Sequence, residues 1–206
     1  MMKNLRFVLW GVVALAFIGF FIISLPKKDT SLSSIAMPLA GFNQGTHFVL
    51  TDHHGDEFNS DDKITEGHYA MIFFGFTHCP VICPTELQKF AEIMDELPQD
   101  IAKRIHPLFI TIDPERDTVE VLKDYVPLFH PSITGLTGNV KMLHDVLKSW
   151  KVFYTKVNDP EFTEYTMDHS TYAYLVDHNM TIKSLFRMKN TSDDIVANIS
   201  KTLQID

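Results

Sequence analysis

A continuous apolar run, "HYAMIFFGFT" from His68 to Thr77, constrains the fold of this chain more than any other segment. It contains no Asp, Glu, Lys or Arg and has the length of a single strand. A strand with one exposed face alternates apolar and polar residues, whereas a strand buried on both faces is apolar throughout. The run therefore predicts a strand inside a sheet that is covered on both sides.

Segments with helical and strand patterns alternate after this run. "PTELQKFAEIMDEL" carries apolar residues at helical spacing and places Pro84 at a first helical position. "IHPLFITID" predicts a second buried strand. "DTVEVLKDYVPLF" and "NVKMLHDVLKSWKVF" predict amphipathic helices, and Asn139 suits the N-cap of the second one.

Two hairpins and a terminal helix complete the predicted domain. "THFVLTDHHGDEFN" should turn at residues 54–56, and "STYAYLVDHNMTIKSLFRM" should turn at residues 177–179. "TSDDIVANISKTLQ" predicts a closing helix with an Asp-rich first turn. The order of elements predicts an α/β, thioredoxin-like fold in which a central mixed sheet has helices on both faces.

The amino terminus predicts a membrane anchor. Residues 7–25 contain no charged residue, and about twenty apolar residues cross a hydrocarbon core of roughly 30 Å. A cleaved signal peptide is the alternative, but its apolar region would span about 7–15 residues. We predict a short head at 1–6, a single transmembrane helix at 7–25, a tether at 26–42 and a domain at 43–206 on the non-cytoplasmic side.

Composition limits the partners and the role of the cysteines. The 206-residue chain is 45% hydrophobic and has a formal net charge of -8. Nucleic acid is not an expected partner, because phosphate binding is driven largely by Lys and Arg. A domain of this size builds a core without disulfides. The only two cysteines of the chain, Cys79 and Cys83, therefore indicate chemistry more than structural support.

The cysteines lie four residues apart in "CPVICP", each followed by a proline. Because a residue before proline favours extended geometry, we expect both sulfurs on a loop over a helix amino terminus. The partial positive charge there favours thiolate over thiol. Thiolates bind soft metals and attack disulfides, so a metal site, a redox pair and a structural disulfide all remain open.

Two familiar cysteine motifs do not match. The peroxiredoxin pattern Pro-x-x-x-Thr-x-x-Cys fails in both registers, with Pro80 and Phe76 where Cys83 would require Thr and Pro. Thioredoxin-type exchange uses two residues between its cysteines, and this chain has three. A metal site requires a third ligand, and His169 is a candidate among the ten histidines. It lies before an apolar strand, where Asp168 and Ser170 could orient the imidazole.

Three motifs together resemble the Sco/SenC family of membrane-anchored, copper-binding thioredoxin-fold proteins. "GFTHCP…CP", "TIDPERDT" and "DHS" occur in the order and approximate spacing of that family, from about residue 41 to the C-terminus. The resemblance implies that Cys79, Cys83 and His169 bind copper. It also implies delivery of copper to cytochrome c oxidase subunit II, or reduction of the thiols of its copper site, at an inner membrane facing the periplasm or the mitochondrial intermembrane space. The family commonly has Asp after the first Cys-Pro, where this chain has Val81.

The chemistry of the three candidate ligands agrees with the resemblance. Two thiolates and one imidazole suit Cu(I) and can also hold Cu(II), whereas structural zinc usually takes four protein ligands. Cys79 and Cys83 could alternatively act as the redox pair of a thiol–disulfide oxidoreductase or of a sensor, although a metallochaperone is the leading hypothesis. Asp113, Arg116 and Asp117 follow a predicted strand, where they could orient the cysteine loop, contact a partner or merely close a turn.

Overall fold

The computed structural model describes residues 42–158, 165–187 and 189–204. The predicted head, transmembrane helix and nearly all of the tether lie outside these residues. Within them, no helix combines the length and apolar character needed to cross a bilayer.

The described strands form a seven-stranded sheet and a separate two-stranded sheet. In chain order they are β1 (Val49–Asp52), β2 (Glu57–Asn59), β3 (Tyr69–Gly75), β4 (Ile105–Thr111), β5 (Thr134–Thr137), β6 (Tyr154–Val157), β7 (Thr166–His169), β8 (Tyr172–Asp177) and β9 (Ile182–Arg187). The large sheet has the order β2-β1-β5-β4-β3-β8-β9. β4 pairs in parallel with β3 and β5, and the other pairings are antiparallel. This is the mixed sheet that the sequence predicts.

The helices are α1 (Ser60–Lys63), α2 (Ile82–Glu96), α3 (Gln99–Ala102), α4 (Val119–Tyr125), α5 (Val140–Ser149) and α6 (Ser192–Leu203). A short 3-10 turn at Val126–Leu128 continues α4. The predicted cap is confirmed, because the Asn139 side chain accepts a hydrogen bond from Met142 N. Thr191 caps α6 in the same way, and the first turn of α6 contains two Asp residues.

β3 lies at the centre of the core, and all seven of its residues are buried. Phe73 and Phe74 point to opposite faces, as successive strand residues do. On one face, Phe73 packs edge-on against Phe90 of α2. On the other, Phe74 packs against Trp150, which ends α5. Both faces of the sheet are therefore covered, which explains the unbroken apolar run.

Two local predictions about the cysteine helix are wrong. The helix begins at Ile82, so Pro84 is its third residue and Cys83 lies in its first turn rather than on a loop. The first N–H groups of a helix have no intrahelical partner, so a proline at the third position removes no helical hydrogen bond. Because no hydrogen bond is lost, Cys83 can adopt helical geometry, although a residue before proline usually favours extended geometry.

Two features are absent from the sequence prediction. β5 lies inside the sheet between β1 and β4, although its "TGLT" is too short to show a strand pattern. β6 and β7 form the separate hairpin-like pair, in which Tyr154 lies opposite His169. This second sheet carries His169 at its end.

Candidate metal centre

Cys79 and Cys83 lie side by side where β3 gives way to α2. Both are free thiols and both are buried, Cys79 on the loop and Cys83 inside the first helical turn. The backbone N–H of Cys83 points at Cys79 Sγ, with a nitrogen–sulfur distance of 3.4 Å. Cys83 Sγ also lies against Gly75 at the end of β3, where a Cβ would approach the sulfur to 2.8 Å. The buried strand thus fixes the position of the sulfur pair.

His169 reaches the cysteines from the other half of the chain. Its Nε2 lies 4.0 Å from Cys83 Sγ, although the two residues are 86 positions apart. The ring packs edge-on against Phe76 and also neighbours Phe73, both from the β3 segment. Its Nδ1 lies 3.1 Å from the carbonyl oxygen of Ser170. A carbonyl can only accept, so Nδ1 carries the proton and the lone pair of Nε2 faces the thiol.

The spacing of Cys83 Sγ and His169 Nε2 fits a single soft ion. Thiolate sulfur and imidazole nitrogen bind a d10 ion such as zinc at about 2.3 and 2.0 Å. Those bond lengths together exceed the 4.0 Å between Cys83 Sγ and His169 Nε2, so one ion can contact both atoms. Across the described ranges, no three His, Cys, Asp or Glu side chains are already clustered as a formed metal site. The three predicted ligands therefore lie near one another, but they do not form a completed metal-binding arrangement.

The two thiols differ sharply in acidity. Hydrogen bonding from Cys83 lowers the pKa of Cys79 to about 4, against the opposing effect of burial, with further help from the backbone N–H groups of Cys83 and Val81. The same pairing with Cys79, together with burial, raises the pKa of Cys83. Cys79 is therefore a thiolate at neutral pH and Cys83 is a thiol. This is the asymmetry expected of a nucleophile and its buried neighbour.

With this geometry established, comparison with known proteins becomes specific. The SCO1/SenC family model matches residues 37–204 of the chain. The chain belongs to the SCO1/SenC family. A SCO2-like protein of Rickettsia prowazekii is 44% identical over 175 residues, which cover 81% of this chain and 84% of that protein. The mitochondrial SCO1 homologue of Homo sapiens is 36% identical over 157 residues, covering 76% of this chain and 52% of that protein.

Solved structures of SCO1/SenC proteins share the fold. The crystal structure of Arabidopsis thaliana ScoI with copper bound aligns with a TM-score of 0.70 and 32% identity, covering 79% of this chain and 99% of that one. Yeast Sco1 with copper bound aligns with a TM-score of 0.70 and 34% identity, covering 79% and 90% of the two chains. The mixed sheet with its helices is thus the thioredoxin-like fold of Sco proteins.

Asp113 and Arg116 tie the loop after β4 to the strand that carries His169. Asp113 is buried and accepts hydrogen bonds from Arg116 Nε at 2.6 Å and from the Tyr165 hydroxyl at 2.8 Å. The Arg116 guanidinium stacks over the Tyr165 ring at 3.7 Å and donates to the Tyr165 carbonyl oxygen. Tyr165 directly precedes β7. These contacts join the loop after β4 to the start of β7, the strand that ends at His169.

Asp117 holds the start of the cysteine loop. This buried carboxylate accepts from the backbone N–H and the hydroxyl of Thr77, at 3.0 and 2.6 Å, and from the hydroxyl of Thr111 at 2.6 Å. Burial raises the pKa of Asp117, while the hydrogen bonds from Thr111 and Thr77 oppose that shift. Asp117 thus links Thr111 at the end of β4 to Thr77, which follows β3 and lies two residues before Cys79.

Asp168 does not have the orienting role that the sequence suggests. Asp168 is exposed, because successive residues of β7 point to opposite faces and the His169 side chain lies on the inward face. The imidazole is held by the carbonyl of Ser170 instead. Sequence reasoning also missed Tyr165, Thr77 and Thr111. Thr77 lies within "GFTHCP", Thr111 begins "TIDPERDT" and Tyr165 shortly precedes "DHS", so position in these motifs was the available signal.

An open cavity gives access to Cys79. It is lined by residues of the cysteine loop and of β7, among them Phe76, Cys79, Val81 and His169. Val81, at the position where the family commonly has Asp, is 65% exposed at its edge. Cys79 thus faces an entrance with an apolar rim, whereas Cys83 is fully buried behind it.

Proposed function

We propose that this chain is a membrane-anchored copper chaperone that binds copper through Cys79, Cys83 and His169. The observation that carries the proposal is the 4.0 Å approach of His169 Nε2 to Cys83 Sγ, which folding creates between distant parts of the chain. Copper-bound structures of Arabidopsis ScoI and yeast Sco1 support the choice of metal. The recipient implied by the family resemblance is the copper centre of cytochrome c oxidase subunit II.

The three donors differ in whether they must lose a proton before they can bind copper, which is the cargo of the proposed chaperone. Cys79 offers a thiolate and His169 offers the free lone pair of Nε2. Cys83 must lose its proton on binding, because metals bind the thiolate form. Uptake therefore releases about one proton per ion at neutral pH. A set of two sulfurs and one nitrogen favours Cu(I), with Cu(II) also accommodated.

The proposed place of work is the outer face of an inner membrane. The apolar run at residues 7–25 would anchor the chain, and residues 26–42 would tether the domain at 43–206 near the surface. Relatives with mitochondrial names, such as the human SCO1 homologue, are consistent with the intermembrane space. The periplasm is the corresponding bacterial compartment.

Copper titration of the reduced full chain tests the proposal. We expect one Cu(I) per chain in competition with a chromogenic chelator, and loss of tight binding in Cys79→Ala, Cys83→Ala and His169→Ala. His178→Ala is the matched control, because His178 is a histidine in the turn between β8 and β9. Full copper affinity in His169→Ala would remove His169 from the site.

Thiol–disulfide exchange is a second candidate function, favoured by the unequal acidity of the two thiols. The Cys79 thiolate would attack a disulfide in the target and form a mixed disulfide, releasing one target thiolate. Cys83 would then lose its proton and attack Cys79 Sγ, releasing the second target thiolate and leaving this protein oxidised. Each turnover would require an external dithiol to reduce the pair again.

The two functions make different demands on His169. Exchange requires both cysteines, whereas copper binding requires the imidazole as well. We expect His169→Ala to keep at least part of the rate at which the full chain reduces a disulfide in a subunit II copper-site peptide. If the parent protein reduces the peptide no faster than free dithiothreitol, exchange is not a function of this chain.

A further inference from the structure

One edge of β7 is open in the part of the chain that the structure describes. There β7 pairs only with β6, and just beyond the paired residues Ser170 N donates to Phe153 O at 3.0 Å. Bonded and non-bonded positions alternate along an antiparallel pair, so Asp168, two residues before Ser170, is also bonded to β6. Met167 and His169 lie at the intervening positions. Their backbone N–H and C=O groups therefore point to the other edge of β7.

The backbone groups at this open edge have no partner among the described residues. Within residues 42–158, 165–187 and 189–204, no hydrogen bond joins the N–H or C=O of Met167 or His169 to another group. An unpaired edge of this kind is a template for pairing with another strand. Proteins that keep such an edge open at a binding site use it to bind an extended peptide.

The open edge forms one wall of the cavity that reaches Cys79. All four residues of β7, Thr166–His169, line this cavity, and Phe76 and residues 79–82 line it on the side of the cysteine loop. Successive strand residues point their side chains to opposite faces, so contact with all four places the cavity along an edge of the strand. Within the described residues, none from β6 lines the cavity. The cavity therefore follows the edge that carries the unpaired groups.

The cavity between these two walls is a groove with room for a segment of chain. Its volume is about 240 Å³, whereas one water requires only about 10–15 Å³. Val81 and Ile82, which line the groove, are 65% and 36% exposed and can contact apolar side chains. Cys79 belongs to the same wall as these two residues. The groove thus combines unpaired backbone groups, an apolar surface and a reactive sulfur.

We infer that an extended, cysteine-bearing segment of the partner protein binds in this groove as a third strand beside β7, with its backbone paired to Met167 and His169. The inference rests on the proposed function and names how the partner of that site is held. Backbone pairing supplies affinity, whereas the apolar wall and the sulfur select a segment with apolar side chains and a cysteine. The cysteine of the segment then lies in the groove that contains Cys79, where copper is transferred or a disulfide is exchanged.

Cross-linked peptides test the pairing in the reduced full chain. The probe is a synthetic heptapeptide of alternating valine and threonine, whose central residue carries an iodoacetyl group on its side chain. The Cys79 thiolate displaces iodide and forms a thioether bond, which holds the peptide in the groove. Two further forms each carry two N-methyl groups, one form on the residues next to the centre and the other on the residues one step further out.

The methylated forms distinguish strand pairing from contact through side chains alone. Both have the same number of methyl groups, but N–H groups of neighbouring strand residues point to opposite edges, so only one form blocks bonds to β7. We expect that form to react with Cys79 about tenfold more slowly than the other, as expected for loss of one or two hydrogen bonds. Each rate is divided by the rate of the same peptide with free cysteine, which removes differences in intrinsic reactivity.

Amide hydrogen exchange locates the pairing on the chain. After linkage to the unmethylated peptide, we expect the amide hydrogens of Met167 and His169 to exchange about tenfold more slowly, because they gain partners. The amide hydrogen of Asp168 should hardly change, because it is already bonded to β6. Modification of Cys79 with iodoacetamide is the matched control and should protect neither Met167 nor His169.

The outcomes distinguish this inference from the proposed function. Equal normalised rates for the two methylated forms, unprotected amides at Met167 and His169 in the linked chain, or no reaction of the peptide with Cys79 would each overturn the inference. Normal Cu(I) binding by the reduced chain would leave the copper function in place in all three cases. Failure of the reduced chain to bind Cu(I), together with protection at Met167 and His169, would instead refute the copper function and keep the groove as a peptide site.

Discussion

The Tyr165 hydroxyl donates a 2.8 Å hydrogen bond to the Asp113 carboxylate, 52 residues earlier in the chain. This bond joins the loop after β4 to the strand that ends at His169. Arg116 strengthens the link, because it pairs with Asp113 and stacks on the Tyr165 ring. The "DPER" segment is therefore bonded to the strand that carries the imidazole, and its Arg116 also lies over the Phe76 ring at 5.9 Å.

Tyr165→Phe should loosen this link while keeping the stacked ring. We expect a loss of about 1 kcal/mol in the free energy of unfolding and a fall of a few-fold in Cu(I) affinity, because His169 is held less firmly. Urea unfolding and chelator competition measure the two effects. Tyr154→Phe, in the partner strand β6, is the control and should change neither. Unchanged copper affinity in Tyr165→Phe would show that the link does not set the position of His169.

Asp117→Asn should weaken the anchor of the cysteine loop. The carboxylate accepts three hydrogen bonds from Thr77 and Thr111, and an amide has only one oxygen to receive them. We expect a loss of about 1–3 kcal/mol in the free energy of unfolding, measured by denaturant titration. Asp168→Asn replaces an exposed carboxylate and should be neutral by comparison. Equal stability of the two variants contradicts the anchoring role.

Gly75→Ala should disturb the sulfur pair from behind. The added methyl group would lie 2.8 Å from Cys83 Sγ and 2.9 Å from Phe109 Cε2, both closer than packing allows, and a tight 3.0 Å from Phe73 Cε1. We expect destabilisation of about 1–3 kcal/mol and weaker copper binding. Gly138→Ala serves as control, because its nearest contact is a looser 3.3 Å to Leu50. Comparable melting temperatures for the two variants would contradict this expectation.

The acidity of Cys79 predicts a distinct pH profile. With a pKa of about 4, Cys79 is a thiolate from about pH 5 upward, so its alkylation rate should be nearly constant between pH 5 and pH 8 and fall below about pH 4. Cys83→Ala removes the main hydrogen-bond donor and should return the pKa of Cys79 toward its ordinary value near 8.5. Mass spectrometry of iodoacetamide-treated protein measures both profiles. A parent profile that rises up to pH 8 would contradict the thiolate assignment.

The lowered pKa of Cys79 also makes the stability of the folded protein depend on pH. The pKa of Cys79 is lower in the folded protein than in the unfolded chain, so the stabilisation is fully present above the unfolded thiol value near 8.5 and is lost as the pH falls through about 4. The difference in free energy of unfolding between the parent and Cys79→Ser should therefore grow as the pH rises from 4 to 8. A difference that does not vary over this range would argue against the shift.

The sequence predicted those helices and strands whose pattern is contained within their own residues. β3 has an unbroken apolar run, and α5 has its cap at Asn139, so both were recognisable without a partner. β6 and β7 were not, because each is four residues long and pairs only with the other. Their pairing is a long-range contact that no local pattern contains.

The candidate site divides in the same way. Cys79, Cys83 and His169 have side chains whose chemistry marks them in the sequence, and the family motifs single them out. Tyr165 does not, because a tyrosine gains its role only from what it packs against. The role of Tyr165 depends on reaching Asp113. Such roles emerge from packing between distant segments.

Val81 gives the last prediction, because it precedes α2 without providing a side-chain cap. Cys79 Sγ takes the first-turn N–H of Cys83 instead, and Pro84 has no N–H to offer. Val81→Asp would compete for that N–H and place a carboxylate beside the thiolate. We expect the pKa of Cys79 to rise above about 4, because a like charge disfavours ionisation.

The pH profile of alkylation measures this change, and Val81→Asn is the control of equal shape without charge. The carboxylate effect should appear as slower alkylation near pH 5 in Val81→Asp than in Val81→Asn, and the difference should shrink at high salt because the site is open to solvent on the side of Val81. Identical profiles for the two variants would mean that the charge at this position does not reach the sulfur. The exchange of Asp for Val at this position would then leave thiol acidity unchanged, and any effect would have to come from the apolar character of the cavity rim.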